Sequence, residues 1–201
     1  MPRPRSFDET ETLRAVRDRF WSTGYAGTSV DDISTATGLG KGSLYGAFGD
    51  KHQLFVRVFG DYCTETIDGV RAALDGPEET AFDRLRAHVR DIAAGTAADV
   101  DRRGCLLAKG TAELAETDAT IAARAAEAFD DYEALVLRCI EQAQAHGDID
   151  PAADADQLAL LLLAVLRGIE ALGKAGRSPQ ALDQIAEGAL AVLPRGARSI
   201  A

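Results

Sequence analysis

With 201 residues, 46% of them apolar, the chain has enough length and hydrophobic content for one or two packed domains, which excludes a disordered polypeptide. Aromatic residues at 6%, six prolines and no alternating run of β-branched residues exclude a sheet-based fold and leave an all-helical one. A net charge of −10 argues against a nucleic-acid partner only on average, because residues 1–60 carry 8 Lys and Arg against 7 Asp and Glu, and residues 61–201 carry 14 against 25.

The elements follow in order. Asp8, with Glu11 three residues on, resembles a capping box; Leu13, Val16, Phe20 and Trp21 then share one face, predicting a first helix over about 8–22. Gly24 ends it. Thr28 or Ser29 can cap a second helix over about 30–37, with Asp31 and Asp32 well placed in its first turn. Gly38 permits a positive φ, and a third short helix is expected from Leu39 to Phe48. Asp50 and Gln53 offer another capping box, opening a fourth helix that carries Leu54, Phe55, Val58, Phe59 and Tyr62 into the low seventies, where Gly76-Pro77 closes the segment. Further helices are predicted at about 78–95, 103–115, 118–146, 154–175 and 179–193, the last capped by Ser178 with Pro179 at its first position. The tail after Pro194 reads as loose.

Two short helices meeting at one glycine, with Ile33, Leu39 and Leu44 apolar and Ser34 small, suit a helix-turn-helix whose second helix enters the major groove of DNA. At this point the sequence resembles the TetR family of one-component regulators. The resemblance rests on Gly24-Tyr25, Thr28-Ser29-Val30-Asp31-Asp32-Ile33, Gly38-Leu39-Gly40-Lys41-Gly42-Ser43-Leu44-Tyr45, Phe48 and Lys51, and spans roughly residues 8–60. It implies an all-α fold of about nine helices, with residues 1–50 as a three-helix DNA-binding domain and 51–201 as a helical ligand-binding and dimerisation domain, helix 51–75 connecting them. It also implies that Thr28, Ser29, Tyr45 and Lys51 meet phosphates, and that Lys41, Gly42 and Ser43 lie where base edges are read.

Each of these residues has a plainer reading: Tyr45 as core, Lys51 as a solvated cap, Thr28 as a helix cap. Gly46-Ala47 departs from the bulky polar residues common in the family. Arg3 and Arg5 offer a basic arm for the minor groove.

The later chain carries weaker signals. Leu158–Leu166 is an unbroken apolar run of nine residues, far short of the roughly 20 that span a membrane, yet apolar around most of the helix. With the last helix it is the expected homodimer surface, represented by Leu158, Leu161, Leu162, Val165, Leu166, Ile169, Leu182, Ile185 and Ala189. A fully internal helix is the alternative.

Gly104-Cys105-Leu106-Leu107-Ala108-Lys109 is similar to a stretch lining the ligand cavity in the family. Lys109 reads first as a surface pair with Glu113 and alternatively as a cavity cation for an anionic ligand. The remaining cavity candidates are Phe59, Tyr62, Cys63, Phe82, Leu85, His88, Val89, Phe129 and Tyr132, with Cys105 as inert thiol or oxidant sensor. Many of these, His88 included, read equally as core.

Three widely spaced cysteines, Cys63, Cys105 and Cys139, and an amino terminus without an apolar segment fit a cytoplasmic protein with no membrane partner. His52, His88 and His146 lie on separate helices with no nucleophile elbow, metal spacing or phosphate loop, so neither catalytic residues, metal nor cofactor is expected. The function expected is a homodimeric repressor released from a pseudo-palindromic operator by a small molecule. A regulator or helical scaffold without an effector, or an activator, is the alternative.

Overall fold

The computed structural model describes residues 7–200, which form nine α-helices and two short 3-10 turns. In chain order these are α1 (Glu9–Thr23), α2 (Val30–Thr37), α3 (Lys41–Phe48), α4 (Lys51–Leu74), α5 (Ala81–Ala98), α6 (Leu106–Leu114), α7 (Ala119–His146), α8 (Ala155–Lys174) and α9 (Pro179–Ala191). The helices fall into two compact units. One takes the chain up to Thr64 together with Leu106–Ala125; the other takes Glu65–Cys105 and the chain from Ala126 onward. This division differs from a boundary at residue 50. The first half of α4 buries Leu54, Phe55, Val58 and Phe59 in the first unit, and α6 and the start of α7 contribute Leu106, Leu107 and Ile121 to it.

In the first unit the helix ends are set locally. Asp8 Oδ1 accepts from Thr10 N (2.8 Å) and Glu11 N (3.1 Å), which starts α1. Ser29 and Asp32 form a reciprocal capping box at the head of α2, and Asp50 and Gln53 exchange the same pair of bonds before α4. Gly38 ends α2 in the left-handed region at φ 68°. The third helix begins at Lys41 and not at Leu39, because the Leu39 carbonyl accepts from Ser34 Oγ (2.6 Å) and Gly40 is extended. Packing is aromatic: Phe55 meets Phe20 edge-on at 5.0 Å and Tyr25 at 5.1 Å, and stacks on Phe59 at 5.6 Å.

In the second unit α5, α8 and α9 pack against one another. Their facing residues are Leu85, Val89, Leu162, Leu166, Ile169 and Leu182, each no more than 1% exposed. Four of the residues expected at a dimer surface, Leu162, Leu166, Ile169 and Leu182, therefore fill this unit's own core, and Ala189 is buried with them. The outward side of α8 and α9 keeps Leu158, Val165 and Ile185 half-buried and Leu161 45% exposed, with Leu160 exposed beside them.

Two further differences have clear causes. Helix α6 starts at Leu106 and not near 103, since Arg102 (φ 50°) and Gly104 (φ 66°) are left-handed and Asp99 Oδ2 accepts from Arg103 N (2.6 Å) and Gly104 N (3.2 Å). The tail is not loose: Asp150 N donates to Pro194 O (3.0 Å), Gly196 N to Asp148 O (2.9 Å) and Arg198 N to Gly147 O (3.1 Å), docking it on the turn after α7. The corner between α4 and α5 is closed by Arg84, which donates to Leu74 O (3.0 Å), Gly76 O (3.3 Å), Pro77 O (2.6 Å) and Gln142 Oε1 (2.9 Å).

Candidate nucleic-acid interface

Helix α3 holds its apolar side inward through Leu44 and Phe48 and leaves Lys41, Gly42, Ser43, Tyr45 and Gly46 exposed. Tyr45 is 47% exposed, so it is not core. Among the described residues a Cβ built on Gly42 or Gly46 meets nothing within 4 Å, so their packing does not ask for glycine at either position. A helical glycine costs roughly 1 kcal/mol relative to alanine, and here that cost leaves a bare strip of backbone facing outward. Among the described residues no side chain caps the amino end of α3.

Around this strip the cations are held by neighbours. Lys41 Nζ lies 2.8 Å from Asp31 Oδ1, and that carboxylate raises the Lys41 pKa. Lys51 sits at the head of α4 with its ammonium 4.2 Å from the centre of the Tyr25 ring. Burial, then Asp50 and Asp118, push the Tyr25 phenol up, so that ring stays neutral beneath the cation.

Ser29 is exposed but its hydroxyl is engaged in the capping box. Thr28 does not reach the surface: it is 1% exposed, its hydroxyl donates to Gly24 O (2.7 Å), and it lies 2.7 Å from Thr23 Oγ1. The resemblance placed Thr28 at a phosphate; its side chain instead braces the α1–α2 turn. Arg3 and Arg5 lie outside the described residues.

The candidate cavity residues do not gather into one group. Phe59, Tyr62, Cys63 and Lys109 belong to the first unit, where Phe59 is core, Tyr62 packs edge-on against Trp21 (5.1 Å) and Lys109 turns to the end of α1. In the second unit Phe82 lies beneath Arg86 and Arg195, Leu85 and Val89 are core, and Phe129 is half-buried.

The others converge. His88 Nε2 lies 2.7 Å from the Tyr132 hydroxyl, Arg167 stacks 4.9 Å from the Tyr132 ring centre, and Arg167 Nη1 donates to Cys105 Sγ (3.4 Å) and pairs with Glu170 at 2.8 Å. Burial pulls His88 down to about 4, assisted by the Arg167 cation, so the imidazole is neutral. Burial likewise pushes Tyr132 up to about 12. Glu170 is raised as well: desolvation outweighs the attraction of Arg167.

Arg167 and Glu170 were not among the candidates. Their signal was two opposite charges three residues apart, interrupting an otherwise apolar helix, and such charges are rarely buried unless paired. Cys139 takes no part in this cluster; its thiol donates to Ala81 O (3.2 Å), and burial raises its pKa. Among the described residues no group of three or more His, Cys, Asp or Glu could hold a metal ion, and no helix is long and apolar enough to cross a membrane.

Residues 13–58 match the family described as bacterial regulatory proteins, tetR family. Residues 81–189, more than half of the chain, match the tetracyclin repressor-like C-terminal domain. The chain is 28% identical over 192 residues to the HTH-type transcriptional repressor ComR of Escherichia coli (strain K12), covering 96% of this chain and 91% of that protein. It is 26% identical over 165 residues to the HTH-type transcriptional repressor DhaR of Mycobacterium sp. (strain GP1), covering 82% and 81%. A cysteine-substituted form of the TetR family regulator CifR, solved with 26-bp double-stranded operator DNA, superimposes with a TM-score of 0.83 at 29% identity, covering 96% of this chain and all of that one. Matched across both its amino-terminal and its carboxy-terminal halves, the chain belongs to the TetR family of DNA-binding transcriptional regulators, which are transcription factors and not enzymes.

Proposed function

We propose that the chain is a homodimeric cytoplasmic repressor that grips a pseudo-palindromic operator through Lys41, Gly42, Ser43, Tyr45, Lys51 and the head of α2, and lets go when a small molecule binds the second unit. The observation that carries the DNA half is the bare, outward strip of α3, whose two glycines cost helix stability and serve no internal contact. With Cβ atoms absent there, the helix backbone can approach a groove floor while Tyr45 and Lys51 reach phosphates on either side. The repressor names of ComR and DhaR and the operator complex of CifR support the same reading.

Dimerisation is assigned to the outward residues of α8 and α9, Leu158, Leu161, Val165 and Ile185. Two modules also offset the weak affinity expected of one small unit with so few cations. A two-fold dimer asks for half-sites about one turn apart, roughly 10 bp or a multiple of it. Sensing is assigned to the buried cluster of His88, Cys105, Tyr132, Arg167 and Glu170, whose neutral and charged donors and acceptors come from α5, α7, α8 and the segment before α6. An effector that prefers one arrangement of these helices shifts the population, and a 100-fold loss of operator affinity requires about 2.7 kcal/mol of such preference.

The test is a salt-controlled gel shift against the DNA upstream of the chain's own gene, with Tyr45→Ala and Lys51→Ala beside the unsubstituted protein. Loss of the shifted band in both variants is expected; wild-type binding in both removes this interface.

A further inference from the structure

Helix α1 ends without a basic residue in its last turn, although its final carbonyls present the negative end of the helix. The missing cation comes from far along the chain. Lys109, on α6, donates its ammonium to Trp21 O and, at 3.4 Å, to Ser22 O. One turn further on, Glu113 Oε2 accepts from Ala26 N at 2.9 Å, inside the α1–α2 turn. Its other carboxylate oxygen leans on Gly24, where a Cβ would stand only 2.0 Å away. Gly24 O in turn accepts the Thr28 hydroxyl, and Thr28 directly precedes Ser29, the cap of α2. The i, i+4 spacing of Lys109 and Glu113 puts both on one face of α6, and that face holds the turn by its backbone.

We propose that Lys109 and Glu113 are positioning residues for DNA binding: by fixing the α1–α2 turn they set where the head of α2 lies, and with it how α2 and α3 meet the duplex. Neither residue touches DNA. The proposal rests on the reading that this unit binds an operator, and the experiment keeps the two apart.

Operator affinity is measured by gel shift at several salt concentrations for the full-length chain, Lys109→Met, Lys109→Arg and Glu113→Ala. Trp21 is the sole tryptophan, its carbonyl accepts from Lys109, and its ring rests on Tyr62, so its emission reports the clamp directly. Lys109→Met is expected to weaken operator binding roughly tenfold at every salt concentration, on the scale of losing charge-assisted hydrogen bonds. Its salt slope should equal that of the unsubstituted protein, its Trp21 emission should shift, and Lys109→Arg should restore both affinity and emission. Glu113 is exposed, so Glu113→Ala is expected to keep the thermal midpoint and still lose affinity several-fold, which guards against a variant that merely unfolds.

Wild-type affinity in Lys109→Met and Glu113→Ala overturns the proposal. So does a salt slope reduced by about one phosphate contact per protomer in Lys109→Met, which would make Lys109 a direct DNA contact. Failure of the unsubstituted chain to shift operator DNA overturns the DNA-binding reading instead, and the clamp with it.

Discussion

Tyr45 and Tyr132 show how differently the two units are built. Tyr45 projects from α3 and is 47% exposed, next to a strip of glycine backbone that nothing among the described residues covers. Tyr132 is 0% exposed, bonded to His88 and stacked under Arg167. In the first unit the exposed residues of α3, Lys41, Gly42, Ser43, Tyr45 and Gly46, lie within six consecutive positions and are shaped by local caps and turns. In the second, partners lie 44 and 62 residues apart and owe their environment to burial. An exposed surface can therefore be changed at little cost to the fold, whereas a change in the buried cluster costs stability.

The largest expected consequence is in stability. Tyr132→Ala removes a large buried ring and leaves His88 without its hydroxyl partner, so unfolding in urea should show a loss of roughly 3–5 kcal/mol. Tyr45→Ala should stay within about 0.5 kcal/mol of the parent while operator binding collapses. Equal losses from the two substitutions would erase the contrast.

Next in size is a pH effect confined to the second unit. His88 titrates near its usual 6.5 when unfolded but at about 4 when folded, so the unfolded chain binds the extra proton first. Stability from this source is intact above pH 6.5 and falls as pH drops from there towards 4, by roughly 3 kcal/mol in all. In His88→Gln, which has no proton to gain, the urea midpoint should lose much of that slope between pH 7 and 4. An unchanged slope would place the titrating group elsewhere.

Smaller, and opposite in sign for its two readouts, is the effect of Gly42→Ala. Thermal unfolding should show the folded state gaining up to about 1 kcal/mol, because helix propensity improves and the added methyl meets no neighbour among the described residues. Operator affinity should fall, because the same methyl occupies the strip proposed to face the groove. Smallest is Lys51→Met, for which a salt titration of operator binding should give a slope lower by about one contact per protomer, with little change in fold.

The boundary between legible and hidden follows the same contrast. Asp8, the Ser29–Asp32 box, Gly38, the Asp50–Gln53 box and Ser178-Pro179 act within a few residues of themselves, so nearly every helix could be placed from sequence. The starts of α3 and α6 slipped by two or three residues because a side chain took a backbone partner there, Ser34 for Leu39 and Asp99 for Arg103 and Gly104. Burial was harder to read. The apolar run of α8 divides between two faces, with Ala159, Leu162 and Leu166 buried in the unit's own core and Leu160 and Leu161 exposed, and Thr28, a phosphate contact by resemblance, spends its hydroxyl on Gly24. Arg167, Glu170 and the contacts of Lys109 depend on segments 60 to 90 residues distant, and no local pattern states which backbone a lysine will find.

The α4–α5 corner has a mechanical meaning. A hinge needs backbone groups that exchange partners cheaply, but here one guanidinium holds the carbonyls of Leu74, Gly76 and Pro77 together, and a Cβ at Gly76 would stand 2.8 Å from it. The end of α4 and the start of α5 are thus tied to each other by one side chain. His88 lies one helical turn beyond Arg84 on α5, so the side chain that closes the corner and the one that meets Tyr132 share one side of the helix.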